Sequence, residues 1–269
     1  MRWTPLPSKT RVLFFAEAVT LAHVARPAAL AGSLDPEPYD VHFAHCPRYQ
    51  GVVGQIPGKE HRIESITPQP FMSTLAGGKP LYDLATLKAY VQEDLRVIDA
   101  VQPEIIIGDF RLSLAVSAAL AQVPYVTITN AYWSPFVRQR FPVPELPLTR
   151  LLGPRVGQWV FSLGRPIAFA MHCLPMHRLR RHYGLDSLGF NLGSVYTHAD
   201  YTLYADIESL YDMSGLPANH RFIGPVTWSP DLAEPPWWQT LPTDKPLVYV
   251  TMGSSGQSQL LPTIIAALG

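Results

Sequence analysis

Charge is scarce in this sequence. Asp, Glu, Lys and Arg make up 16% of its 269 residues, against roughly 25% in an average soluble domain, and 21 basic residues are balanced by 21 acidic ones. Without net charge there is no long-range field to gather phosphate backbones, which argues against a nucleic-acid partner. Cysteine is rarer still. Cys46 and Cys173 are too few for a disulfide framework or a zinc set, so both read as small buried hydrophobes and the chain as cytoplasmic. No apolar run reaches the roughly 18 residues of a membrane span; the longest, at 159–163 and 166–171, are split by Gly164 and Arg165. Arg2, Lys9 and Arg11 ahead of Val12 imitate a secretory signal, but Glu17 and His23 interrupt the run, which reads as a buried strand feeding a helix. Also missing are G-x-G-x-x-G, the Gly-Lys-Ser/Thr phosphate loop, H-E-x-x-H and G-x-S-x-G. Dehydrogenase, nucleoside triphosphatase, metalloprotease and serine hydrolase readings lose their usual support.

What is present is a 47% hydrophobic chain in which short apolar strands alternate with helical patterns. Strands are expected at 12–16, 40–45, 104–108 and 124–128, a strand-like piece at 61–66, and late short strands at 201–204 and 222–223. Thr20 is placed to cap a helix ending at Gly32. Leu81, Leu84, Leu87, Val91, Leu95 and Ile98 share one helical face, with Lys88, Glu93, Asp94 and Arg96 on the other. A further helix is expected at 112–121, and a helical stretch at 151–183 broken at Gly153-Pro154, Gly164 and Pro175. The alternation predicts an α/β fold with a doubly wound, Rossmann-like parallel sheet. A Pro-rich segment holding Trp228, Trp237 and Trp238 then reads as a connector, with the tryptophans packed on one neighbouring domain. Beyond it come a strand at 247–251, the loop Gly253-Ser254-Ser255-Gly256 and a helix at 260–268. One strand, loop and helix cannot cover a sheet, so this piece reads as the start of a truncated second domain. The uncovered apolar face of its helix predicts self-association, which light scattering on concentrated protein would reveal.

In open parallel sheets, ligands bind beyond the carboxyl ends of the strands. His23, Asp109 and Asn130 all sit at such exits. A histidine in the first turn of a helix is placed to keep one ring nitrogen open as a proton acceptor, and an aspartate on the other nitrogen would fix the tautomer. The competing reading makes both residues local caps.

The segments TLAHVARPAALA, PEIIIGDF, VPYVTITN, FIGPV and PLVYVTMGSSG, in this order and spacing, resemble family 1 glycosyltransferases of the two-domain GT-B fold. These include bacterial natural-product and plant secondary-metabolite enzymes. The resemblance implies an acceptor-binding domain at 1–226, a linker at 227–245 and the start of a nucleotide-sugar domain at 246–269. It implies His23 as catalytic base with Asp109 as partner, and Gly253, Ser254 and Ser255 at the donor diphosphate. The reaction would be an inverting transfer from a nucleotide sugar, UDP-linked in this family, to a lipophilic acceptor hydroxyl, without metal or resident cofactor. Asn130, Tyr132, Trp133, Phe136, Phe71 and Met72 are candidate acceptor contacts, a lipophilic aglycone suiting aromatic walls. The sequence departs from the family's pattern beside the base: Ala22 replaces the usual preceding Gly, and Pro stands four residues on, at Pro27, instead of three. The main donor signature is absent, so the fragment alone is expected to be inactive. An acceptor-binding subunit or inactive remnant that needs a separate donor-domain chain is one alternative, and a sugar-nucleotide epimerase of the same architecture is another.

Two further clusters suggest less. His42, His45 and Cys46 alternate across a strand and cannot converge on a metal. His177, Arg178, Arg180, Arg181 and His182 read first as cations meeting helix carbonyls and solvent, with an anionic lipid surface or partner chain as the alternative.

Overall fold

The structure, a computed structural model, describes residues 9–143, 147–213, 215–253 and 258–268. Its strands are β1 (Thr10–Ala16), β2 (Tyr39–His45), β3 (Lys59–Arg62), β4 (Ile105–Asp109), β5 (Tyr125–Thr129), β6 (Tyr201–Tyr204) and β7 (His220–Phe222). They form one sheet in the order β3-β2-β1-β4-β5-β6-β7, every neighbouring pair parallel. Parallel neighbours need crossovers, and the helices supply them: α1 (Ala22–Gly32), α2 (Gln50–Val53), α3 (Pro68–Ala76), α4 (Leu84–Val101), α5 (Leu114–Ala121), α6 (Pro147–His182) and α7 (Leu192–Tyr196), with α8 (Leu261–Leu268) after the sheet. The expected Rossmann-like α/β sheet is therefore observed.

β1 shows why an unbroken apolar run makes a central strand. Leu13 and Phe15 enter the core shared with α4 and α5, while Val12, Phe14 and Ala16 enter the one shared with α1. Successive side chains serve opposite faces, so both must be apolar. On β4, a Cβ at Gly108 would collide with Leu114 and the Tyr125 ring, and only glycine lets α5 lie this close.

Several local expectations are corrected. No side chain caps α1, whose N-cap position is Leu21, so Thr20 does not play that part. α4 starts at Leu84 because Asp83 accepts a hydrogen bond from the Thr86 N–H at 2.7 Å. Residues 247–251 form no strand; Leu247, Val248 and Tyr249 are exposed, and no ladder partner is available to them among the described residues. Trp237 and Trp238 are also exposed and tilt against each other instead of packing on a domain. In α6 the expected break occurs at Gly153, with φ 74°, but the helix runs through Gly164 and Pro175. Glycine costs a helix only about 1 kcal/mol and proline about 3; burial of Cys173, Met176 and Leu179 against α4 and α7 offsets both.

A larger correction concerns Asp94, expected on the solvent side of α4 but fully buried. It ion-pairs at 3.0 Å with the equally buried Arg111, whose guanidinium also meets Glu17 at 3.0 Å and Glu93 at 2.9 Å and lies over the Tyr90 ring. Ser113 and Ser117 donate to Asp94, and Tyr90 donates to Glu17. Burial pushes the Glu17 carboxyl above its ordinary value despite Arg111. Burial works against the Arg111 charge, but the Asp94 and Glu17 carboxylates outweigh it and hold the guanidinium firmly protonated. The cluster ties the end of β1, the exit of β4, and α4 into one unit. Arg111→Met would leave buried carboxylates uncompensated and should cost about 3–5 kcal/mol, read as a lower urea midpoint at unchanged slope.

Candidate active site

Strand order reverses at β1, which has β2 on one side and β4 on the other; the crevice at such a switch point is where open α/β sheets bind ligands. The chain leaves β1 and enters α1, whose second residue is His23. Asp109 ends β4, in register with Ala16 at the end of β1. Two side chains 86 positions apart thus meet: His23 Nδ1 lies 2.8 Å from Asp109 Oδ1. The carboxylate is fully buried, whereas the imidazole keeps 19% of its surface open.

Arg26, one turn along α1, completes the arrangement. Its Nε and Nη2 donate to Asp109 Oδ2 and Oδ1 at 2.6 and 2.8 Å, and its Nη1 donates to Asn130 Oδ1 at 3.1 Å. Asn130 in turn donates from Nδ2 to Asp206, which also accepts the Ala131 N–H at 2.6 Å. Exits of β1, β4, β5 and β6 are therefore linked by one polar chain. Burial alone would raise the Asp109 carboxyl; the Arg26 charge and then His23 outweigh it and hold the group below its ordinary 3.8. Asp109 is thus an anion that accepts from Nδ1–H, leaving Nε2 as the basic nitrogen. No described residue hydrogen-bonds Nε2.

The ring is clamped from one face by Phe110, stacked at 4.6 Å between centroids and 11° from parallel. Phe110 has φ 58°, a left-handed backbone costing a bulky residue about 1–2 kcal/mol. That turn lets Asp109 face His23 while Arg111 enters the buried ion cluster. Phe71, Tyr82 and Tyr196 pack on Phe110, and Trp133 packs edge-on against Tyr196 with Tyr132 beside it. An aromatic set therefore adjoins the imidazole. The buried Tyr82 hydroxyl has no partner among the described residues.

Of the residues singled out in the sequence, His23, Asp109, Asn130, Phe71 and Trp133 come together here. Tyr132 lies at the exposed edge of the set, and Met72 neighbours Phe71 on α3. Phe136 packs instead on His220 at the β7 end of the sheet. Asn130 spends both ends of its amide on Arg26 and Asp206. Gly253 has φ 65°; Ser254 and Ser255 lie outside the described residues. Among the described residues no group of three or more His, Cys, Asp or Glu side chains could hold a metal; His42 meets His61, and His45 meets Glu60.

Sequence reasoning missed Arg26, Phe110, Tyr82 and Asp206. The clearest available signal was at Arg26, three residues beyond His23 on the same helical face and standing where the resembled family carries its proline.

The structure is thus an α/β domain whose Rossmann-like sheet sets a buried aspartate against a solvent-reachable histidine at its switch point. No family model matches the chain. It is 48% identical over 265 residues to "Inactive PGL/p-HBAD biosynthesis glycosyltransferase" of Mycobacterium bovis (strain BCG / Pasteur 1173P2), covering 98% of this chain and 72% of that protein. It is 50% identical over 260 residues to "PGL/p-HBAD biosynthesis rhamnosyltransferase" of the same strain, covering 97% and 58%, and 47% identical to a "PGL/p-HBAD biosynthesis glycosyltransferase" of Mycobacterium tuberculosis (strain ATCC 25177 / H37Ra), covering 98% and 62%. A solved structure of "Spinosyn Rhamnosyltransferase SpnG" is 17% identical, with a TM-score of 0.49 over 85% of this chain and 53% of its own. The chain belongs to the family of PGL/p-HBAD biosynthesis glycosyltransferases, which bears out the glycosyltransferase resemblance read from its motifs.

The site generates a pH prediction. Because the folded carboxyl of Asp109 is depressed, its pairing stabilises the protein above about pH 4, and that contribution is lost as pH falls through a value below 3.8. In Arg26→Met the main opposing charge is gone and burial raises the carboxyl. The sign of the linkage then reverses: the variant carries its largest penalty near neutral pH, and its deficit relative to wild type should shrink as pH falls and the buried carboxyl takes up a proton, which urea titrations between pH 3 and pH 7 would show.

Proposed function

We propose that this chain carries the acceptor side of a glycosyltransferase that moves a sugar from a nucleoside-diphosphate donor to the hydroxyl of a lipophilic acceptor. The observation that carries this reading is the 2.8 Å His23–Asp109 contact at the switch point, with Nε2 unpaired among the described residues and an aromatic set alongside. Membership of a family whose curated members are named glycosyltransferases supplies the reaction class, and the relative named a rhamnosyltransferase supports a deoxyhexose donor.

In this mechanism the acceptor hydroxyl approaches His23 Nε2. As its oxygen attacks C1 of the donor sugar from the face opposite the diphosphate, its proton passes to Nε2, the C1–O bond to the nucleoside diphosphate breaks, and the anomeric centre inverts. Asp109 stabilises the imidazolium formed and fixes the ring; Phe110 prevents the ring from tipping. Arg26 holds the carboxylate in place, so that Asp109 orients the ring from a fixed position. Phe71, Trp133 and Tyr132 offer the acceptor an apolar wall. Residues 246–269, and Gly253 within them, would open the donor side.

The test is transfer of sugar from a panel of nucleotide sugars to lipophilic phenols and alcohols, followed by mass spectrometry, with and without an added donor-domain polypeptide. His23→Ala should lower kcat/KM by about 10²–10⁴-fold while leaving the circular dichroism spectrum and acceptor binding unchanged. Equal rates for wild type and variant would refute the assignment. The relative named inactive is about as similar to this chain as those named as transferases, so the comparison must be made on this protein itself.

A further inference from the structure

Helix α6 carries a surface that the reaction does not use. Beyond the break at Gly153, Val156, Val160, Leu163, Ile167 and Met171 recur at spacings of three and four and so share one face. Trp159 lies beside them. All are exposed, Trp159 by 71%, Leu163 by 65% and Ile167 by 69%. The opposite face, with Cys173, Met176 and Leu179, is the one buried against α4 and α7. The exposed stripe is therefore an excess of apolar surface on a helix that is already anchored.

Its charge is equally one-sided. Between Glu145 and Asp186 the sequence has no acidic residue, and six arginines: Arg150, Arg155, Arg165, Arg178, Arg180 and Arg181. Arg180 is internal, donating to the carbonyls of Ala115 and Asp186, and Arg165 lies over Phe141. Arg155, Arg178 and Arg181 are exposed, and none forms an ion pair among the described residues. Arg178 and Arg181 stand seven and ten residues beyond Met171, on the side of the stripe. An apolar strip about 22 Å long is thus flanked at both ends by unneutralised cations.

We infer that α6 is a membrane-surface helix, which lays this stripe into the headgroup boundary of an anionic bilayer while Arg155, Arg178 and Arg181 meet lipid phosphates. Charge complementarity selects this occupant. A second copy docked stripe to stripe, in either direction, would set arginines against arginines with no acid on the helix to offset them. No helix among the described residues is long and apolar enough to cross a membrane, and the combination of an apolar face with arginines and no acidic residues is that of a helix lying in the interface. The inference does not rest on the glycosyltransferase reading. It places the protein where a lipophilic substrate would be, but it stands or falls on binding alone.

The experiment is flotation of the protein with vesicles of phosphatidylcholine alone or containing 40% phosphatidylglycerol. Binding is expected to the anionic vesicles only and should weaken steeply with salt. Trp159→Glu combined with Ile167→Glu should abolish it, and Arg178→Gln with Arg181→Gln should reduce it by about fivefold per arginine, with all variants retaining the wild-type circular dichroism spectrum. Binding that survives the Trp159/Ile167 substitutions would assign any membrane affinity to another segment, α8 included, and overturn the inference. So would equal binding to neutral vesicles, or no vesicle binding accompanied by a dimer that those substitutions dissolve.

Discussion

One buried carboxylate organises this site. Asp109 has no solvent contact, so its charge persists only because Arg26 grips both oxygens and His23 donates to one of them. Burying an isolated carboxylate costs several kcal/mol. The histidine is therefore oriented by a group that is itself held ionised by a neighbour on the same helix. The two sides depend on one another: α1 is pinned to β4 by the ion pair, and the ion pair exists because α1 starts where β1 ends. The resembled family's pattern places proline where Arg26 stands, and a proline could not have made this grip.

The tripeptide Asp109-Phe110-Arg111 shows how closely site and scaffold are joined. Its three side chains go to three environments: the contact with His23, the face of the imidazole, and the ion cluster beneath α4. Such divergence from adjacent residues needs the left-handed backbone at Phe110. That conformation is strained, and it is held by Arg111's three carboxylate partners on one side and the aromatic packing of Phe71, Tyr82 and Tyr196 on the other. The observed outlier is thus explained by what surrounds it.

Much of the framework was legible in the sequence because it depends on short-range pattern. The apolar runs at β1, β4 and β5, the spacing of Leu87, Val91 and Ile98, and the polar residues at strand exits all report local periodicity, and His23 with Asp109 followed from the exit rule together with the motif resemblance. What was not legible depends on partners far along the chain. Asp94 looks like a solvent-facing residue until Arg111, 17 positions on, is folded beneath it. Arg26 looks like ordinary helix charge until Asp109 arrives. Gly164 and Pro175 are breakers by propensity, and only the burial of the far face of α6 overrides them. The sequence at 247–251 has strand propensity, but propensity makes no ladder without a neighbour.

The strand order has a consequence for biogenesis. β1 and β4 are neighbours at the centre of the sheet, yet β4 leaves the ribosome about ninety residues after β1. Once β2 has joined one edge of β1, about sixty residues separate it from β4, so at roughly 5–20 residues per second the other edge waits on the order of 3–12 seconds unpaired. During that interval the chain presents an apolar strand edge of the kind that templates aggregation.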